Sequence, residues 1–308
     1  MNVNIFEFFA GIGGMGLAFS QAFPDLLGLG RHVLVESDPE AREVLKLRFP
    51  GAEVREDVRD SCKGEGANWV LAGFPCQGFS RGNQNQKHFN DARSSLFFDL
   101  MERIKELSPD AIFLENVPNI LRHLPTVEKA LGDLGYNLEW RLLYAFHHGA
   151  DISRRRWFGL AHREPFEVLE FPTHEKKPVP LWPAPWASGF MEQQAGVFLR
   201  RAAHVHQSTG QTCGVPLSVA LQMGEGWRAE YREILKGGKV RDFPRAFINA
   251  DWLDTLMGYP AGWTDTTGAT PDPSRRLVSH RGHRSRYRML GNTVVPSQAK
   301  AFLDSINF

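Results

Sequence analysis

Asn4-Ile5-Phe6-Glu7-Phe8-Phe9-Ala10-Gly11-Ile12-Gly13-Gly14 opens the chain with an apolar run that gives way to closely spaced glycines. Residues 4–9 have the length and aromatic content of a short buried strand. The glycines admit tight backbone turns, and the following Gly16-Leu17-Ala18-Phe19 reads as a helix. The same rhythm recurs downstream. Residues 32–36 (His-Val-Leu-Val-Glu) read as a strand and 39–49 as a helix with Pro39 near its start. Residues 69–72 read as a strand, 96–107 have helical spacing, and 111–114 read as another strand. Strand alternating with helix predicts an α/β fold built on a doubly wound, mostly parallel sheet.

A glycine turn between the first strand and first helix lets a ligand approach the backbone, and the helix start offers free N–H groups. The turn departs from Gly-x-Gly-x-x-Gly, which argues against a pyrophosphate ligand. Glu36 ends the second strand, about 20 residues on, where an acidic residue meets a ribose hydroxyl in dinucleotide folds. Asp57, in Glu56-Asp57-Val58, follows a third segment. Two carboxylates set around a ribose and an adenine amino group suit an adenosyl ligand without phosphates, which points to S-adenosylmethionine.

The strand at 69–72 runs straight into Gly73-Phe74-Pro75-Cys76-Gln77-Gly78. Reacting groups of open α/β sheets collect at the carboxyl ends of the strands, so Cys76 is a candidate nucleophile. Read alone, a single cysteine is more often a buried structural residue. Glu115 stands at the end of the strand 111–114 and would share a cleft with Cys76 if the two strands are parallel neighbours. Arg154 and Arg156 alternate on entering a further strand and so face one side. A polar, glycine-bearing stretch at 80–91 reads as a mobile loop.

The 308 residues carry 36 Lys and Arg against 35 Asp and Glu, and 42% are hydrophobic, so overall charge identifies no partner. No apolar run has membrane-spanning length and no basic-plus-apolar stretch stands before Ile5-Phe6, so neither a membrane span nor secretion is expected. Cys62, Cys76 and Cys213 lie far apart without a Cys-x-x-Cys pair, so neither a disulfide framework nor a metal site is expected. A reducing compartment follows, cytosolic or nuclear. From about residue 166 to 285 prolines and tryptophans cluster and the strand–helix rhythm stops, which marks a separate irregular lobe. Residues 289–308 regain a helical pattern that could return to the first lobe.

Phe9–Gly14, Gly73–Ser80, Glu115-Asn116-Val117 and Gly291-Asn292-Thr293-Val294-Val295-Pro296 resemble, in order, the motifs of the DNA (cytosine-5)-methyltransferase family of restriction–modification type. Asp91–Asp99 and Trp252–Pro260 also resemble segments of that family. The resemblance covers about 1–164 and 250–308. It implies a Rossmann-like, S-adenosylmethionine-dependent methyltransferase sheet in residues 1–165 plus 286–308, with a smaller target-recognition lobe in 166–285. It further implies that Cys76 adds to C6 of a flipped-out cytosine, that Glu115 engages N3, and that Arg156 and Arg154 hold the base. The cofactor residues carried over are Phe9, Ala10, Gly11, Ile12, Gly13, Glu36, Ser37, Asp57, Val58, Pro75, Leu96, Asn292 and Val294, with S-adenosylhomocysteine as product and no metal. Gln77, Ser80 and Arg81 are carried over as DNA contacts. Ile152 stands where the family usually has Gln, and Ser37 where it often has a large residue that covers the adenine.

From Arg275 to Arg288 the chain carries Arg275, Arg276, His280, Arg281, His283, Arg284, Arg286 and Arg288 without an acid. A solvated face is one reading; a phosphate-tracking surface, with Arg281 and Arg284 as contacts, is the other. The resemblance implies double-stranded DNA as substrate and a monomeric enzyme without membrane attachment. A cognate restriction endonuclease would be linked to it genetically and not physically. It implies a location in the bacterial cytoplasm at the nucleoid, or in the nucleus of a eukaryotic or virus-infected cell. Two other functions share these motifs: cytosine-5 methylation of tRNA, and a catalytically silent DNA-binding regulator.

Overall fold

Short apolar strands separated by capped helices are assembled into one sheet. The computed structural model describes residues 3–26, 30–75, 92–150, 152, 154–163, 247–274, 277–278 and 284–306. The strands β1 (Ile5–Phe8), β2 (His32–Val35), β3 (Glu53–Arg55), β4 (Trp69–Ala72), β5 (Ala111–Asn116), β6 (Asn137–Tyr144) and β7 (Arg155–His162) form a seven-stranded sheet in the order β3-β2-β1-β4-β5-β7-β6. β1 to β5 are parallel, whereas β7 runs antiparallel to β5 and to β6. Two further short strands, β8 (Phe247–Ile248) and β9 (Leu277–Val278), pair with each other. The helices are α1 (Gly14–Ala22), α2 (Pro39–Arg48), α3 (Ala92–Leu107), α4 (Leu124–Gly132), α5 (Ala250–Leu256), α6 (Arg284–Asn292) and α7 (Pro296–Leu303).

By contact density the chain divides into two compact units. One comprises Met1–Tyr144, Arg155–Thr173 and Asn292–Phe308; the other comprises Ala145–Arg154 and His174–Gly291. In the first unit the period-2 alternation of the strands serves two cores. Phe6, Phe8, Val70, Ala72, Ile112 and Leu114 meet Phe97, Leu100 and Ile104 of α3 and Leu131 of α4. The intervening residues, Ile5, Trp69, Leu71 and Phe113, meet Phe19 of α1 and Phe302 of α7. The Phe302 ring stacks on Phe113 with centroids 5.4 Å apart, and the buried Gln298 amide donates to the Leu143 carbonyl at 2.8 Å. Helices thus cover both faces of the sheet, as strand–helix alternation predicts.

Two features differ from the sequence reading. The β6–β7 hairpin adds an antiparallel edge; its outer strand mixes charged and apolar residues and carries no strand–helix rhythm. The helix expected over 289–308 is broken, because Pro296 lacks an amide donor and keeps Val295 extended at φ −85, ψ 113. α6 therefore ends at Asn292 and α7 starts at Pro296.

The turn after β1 is shaped by backbone geometry. β1 stops at Phe8 because Phe9 adopts φ 56, uncommon for a bulky residue, and Gly11 and Gly13 follow at φ 57 and 81. Gly13 caps α1, and a Cβ there would stand 2.3 Å from the Phe49 ring at the end of α2. α2 is itself well bounded: Asp38 accepts from Glu40 N–H at 3.1 Å, Pro39 occupies the first turn, and Lys46 and Arg48 lie in the last.

In the second unit, the Asn249 side chain caps α5 by accepting from Asp251 N–H at 3.0 Å. Arg286 of α6 reaches α5: Nη2 bonds Asp251 at 2.6 Å and Asp254 at 2.9 Å, while Nε donates to the Thr264 hydroxyl at 2.8 Å. Asp254 is fully buried, and burial outweighs these partners and pushes its carboxyl up to about 6. Its contribution to stability is therefore present below about pH 4 and is lost as pH rises through about 6.

Two outcomes are expected. Gly13→Ala should destabilise the chain by about 2 kcal/mol through left-handed backbone strain and crowding of Phe49, read as a lowered denaturation midpoint. Arg286→Met should leave Asp254 buried without its counter-charge and cost about 3 kcal/mol near pH 7.5. That loss should shrink at pH 5, where Asp254 binds a proton; an equal loss at both pH values would contradict it.

Candidate active site

Parallel pairing brings distant residues to one edge of the sheet. Phe8, Val35, Ala72 and Leu114 are register partners across β1, β2, β4 and β5. The next residues, Phe9, Glu36, Gly73 and Glu115, therefore reach the carboxyl edge together. The strand order reverses between β1 and β4, the position where open α/β sheets bind ligands.

On the β1–β2 side, Glu36 bridges two chain segments. Its Oε2 accepts from Gly11 N–H at 2.7 Å and its Oε1 from Asp38 N–H at 2.8 Å. Bonds to an ionised acceptor of this kind are stronger than neutral ones, so the carboxylate fixes the glycine turn against the start of α2. Among the described residues nothing lies within 4 Å of the position that a Gly11 Cβ would take, so the peptide there is open to close approach. Ala10 and Ile12 are buried, and Phe9 packs against the core beneath the sheet. Ser37 is exposed, Asp57 accepts from Arg59 N–H at 3.0 Å, and Val58 is buried. Glu7, one strand position before Phe8, is almost wholly buried; burial pushes its carboxyl up, opposed by His32 and the Gly16 and Met15 amides.

On the β4–β5 side, Glu115 Oε1 lies 3.0 Å from Arg156 Nε, and both side chains are largely shielded from water. Such an ion pair holds both groups in fixed geometry. The other carboxylate oxygen faces Gly73, where an added Cβ would stand 3.4 Å from it. Asn116, buried at 2% exposure, donates from Nδ2 to the Phe74 carbonyl at 3.1 Å and accepts the Val117 N–H at 2.8 Å. It thereby ties the end of β5 to the backbone just before Pro75. Arg154 lies outside the strand, and its Nη1 donates to the Gly291 carbonyl near the end of α6 at 3.1 Å.

The remaining expected residues distribute as follows. Pro75 is half-buried after β4, and Leu96 packs from α3 against the core. Val294 is buried among the α1 and α7 side chains, whereas Asn292 is exposed at the end of α6. Cys76, Gln77, Ser80, Arg81 and Arg281, like the loop 80–91 and most of 166–285, lie outside the described residues; Arg284 is described only as the first residue of α6. Sequence reasoning assigned no role to Asn116 or to Arg42, whose guanidinium meets the Glu36 and Ser37 carbonyls. An amide inside Glu-Asn-Val was the available signal for the first; the second had none, being one more charge on an amphipathic helix.

Comparison with known proteins bears on the fold and the family. The family model described as C-5 cytosine-specific DNA methylase matches residues 3–196. The type II methyltransferase M2.BsuMI of Bacillus subtilis is 26% identical over 313 residues, covering 95% of this chain and 72% of that protein. M.HhaI of Haemophilus parahaemolyticus is 29% identical over 54% of this chain, and M.Eco47II of Escherichia coli is 36% identical over 52%. In these last two the match spans only 50% and 39% of the relative's own length. Among solved structures, the Entamoeba histolytica methyltransferase EhMeth superposes with a TM-score of 0.67 at 16% identity, covering 99% of this chain and 98% of that one. The Schizosaccharomyces pombe Dnmt2 methyltransferase gives 0.60 at 19% identity, covering 98% and 97%. At such identities the structural likeness speaks for the fold, a Rossmann-like methyltransferase sheet. The family match, which spans well over half of the sequence, goes further: this chain belongs to the C-5 cytosine-specific DNA methylase family.

Proposed function

We propose that the chain methylates C5 of cytosine in double-stranded DNA, with S-adenosylmethionine as methyl donor. The observation that carries this reading is the Glu115–Arg156 pair at the carboxyl end of β5, beside the backbone that Asn116 holds ahead of Pro75-Cys76. Cytosine C5 is a weak nucleophile, and the ring must gain electron density there before it can accept a methyl group. Addition of the Cys76 thiolate to C6 supplies that density and places negative charge on N3 and O2. Glu115, taking up a proton as the base enters, protonates or hydrogen-bonds N3, while Arg156 holds the Glu115 carboxyl in place and offers its remaining N–H groups to the base. Loss of the C5 proton to a base then expels Cys76, and the proton on N3 returns.

The donor's sulfonium supplies the methyl group. The chain's part is to hold the donor's adenosyl half: the ribose at Glu36, the adenine by Asp57 and Val58, and the methionine end along the open peptide at Gly11. Phe9, Ala10, Ile12, Gly13, Ser37, Pro75, Leu96, Asn292 and Val294 complete the cleft. The target base must leave the duplex, at a cost of a few kcal/mol. Residues 166–285 are the proposed target-recognition segment. In the basic run, Arg281 and Arg284 are the proposed phosphate contacts, whereas Arg286 is committed to Asp251 and Asp254.

Labelled methyl should pass from S-adenosylmethionine to duplex DNA and not to tRNA; transfer to tRNA alone would refute the assignment, and DNA binding without transfer to either would favour a silent regulator. Cys76→Ala should keep DNA affinity and lose turnover by at least roughly a thousandfold, the scale expected when a nucleophile is removed. Duplexes with 5-fluorocytosine at the target should form a stable protein adduct, because C5 then has no removable proton. Turnover of that substrate without trapping would count against attack at C6.

A further inference from the structure

The first unit contains a guanidinium that clasps the cofactor segments from outside. Arg42 lies one turn into α2, with its side chain mostly shielded from water. Its Nη1 donates to two successive backbone carbonyls, Glu36 at 3.0 Å and Ser37 at 2.8 Å. Its Nη2 lies 3.2 Å from Oε2 of Glu56, the residue before Asp57. Glu36 and Glu56 leave neighbouring parallel strands, where Val35 and Arg55 are register partners. One side chain therefore spans the exits of β2 and β3, the two places that carry the carboxylates of the adenosyl site.

We infer that Arg42 is a positioning residue for S-adenosylmethionine, acting through the Glu36 and Ser37 carbonyls; this rests on the adenosyl reading of Glu36 and Asp57. The peptides from Glu36 to Asp38 are pinned on both sides. The Asp38 N–H and the Gly11 N–H bind the Glu36 carboxylate, and the carbonyls of the same stretch bind Arg42. With those peptides fixed, the carboxylate meets the ribose without reorganising, which is the gain expected from preorganisation. The small side chain of Ser37 lends no bulk to hold its own backbone, so the clasp falls to Arg42. The ion pair to Glu56 is the weaker half of the contact, because Glu56 is 71% exposed and water screens it.

The geometry separates the two halves of the clasp experimentally. Titration calorimetry with S-adenosylmethionine and with S-adenosylhomocysteine would compare the intact chain with Arg42→Met, Arg42→Lys and Glu56→Gln. Arg42→Met should weaken both ligands roughly tenfold, equivalent to about 1.4 kcal/mol. KM for the donor should rise in step while kcat at saturating donor and DNA affinity stay close to those of the parent and the thermal midpoint without ligand falls by only a few degrees, as for lost hydrogen bonds at a partly exposed site. Arg42→Lys, whose single ammonium keeps donors for the two carbonyls but cannot reach Glu56 at the same time, should recover part of the loss and serves as the folded alternative should the Met variant aggregate. Glu56→Gln should change affinity less than about twofold, as for an exposed pair. Unchanged affinity in Arg42→Met, or an equal loss in Glu56→Gln, would overturn the inference. Failure of the parent chain to bind either ligand would instead remove the adenosyl reading on which it stands.

Discussion

Parallel pairing of β4 with β1 on one side and β5 on the other fixes where everything else in the site can stand. Each ladder aligns residues far apart in the chain, Phe8 with Ala72 and Ala72 with Leu114, so that the strands end in one row. A one-residue slip in either ladder would turn the side chains of that strand to the opposite face. Gly73 and Glu115 would then no longer face each other, and the Asn116 amide would lose the Phe74 carbonyl. Two cores on opposite faces of the sheet hold that register, because every slipped strand would present its large side chains to the wrong helices.

Electrostatics then completes what the register begins. Two acidic groups at the carboxyl edge are held by donors from other segments. Glu36 is bound by amides of the glycine turn and of the α2 start, and Glu115 by Arg156 from the antiparallel β7. Such bonds fix geometry at little cost, since the carboxylates remain near the rim of the sheet. Deeper acids behave differently. Burial raises both Glu7 and Asp254, and each depends on nearby donors to remain in the interior.

In the second unit the same kind of pairing gives one arginine of the basic run a structural place. Arg286 is drawn inward by Asp251, Asp254 and Thr264, and its place in the sequence differs in no visible way from that of its neighbours.

The sequence by itself determined the strand–helix alternation, the glycine turn after β1, and the chemical identities of Cys76, Glu36, Glu115 and Arg156. These are local properties: apolar periodicity, backbone freedom at glycine, and motifs confined to a few consecutive residues. Only the tertiary structure decided that Arg156 reaches Glu115, that Asn116 braces the Phe74 carbonyl, that Arg42 spans Glu36 and Ser37, and that Pro296 splits the final helical stretch into two helices. Strand β6 and the antiparallel pairing of β7 also needed the fold, since that edge is defined by its partners more than by its composition. The physical reason is common to the contacts. A polar side chain several bonds long has many reachable partners, within its own segment and beyond it, and packing of the sheet and its helices selects among them.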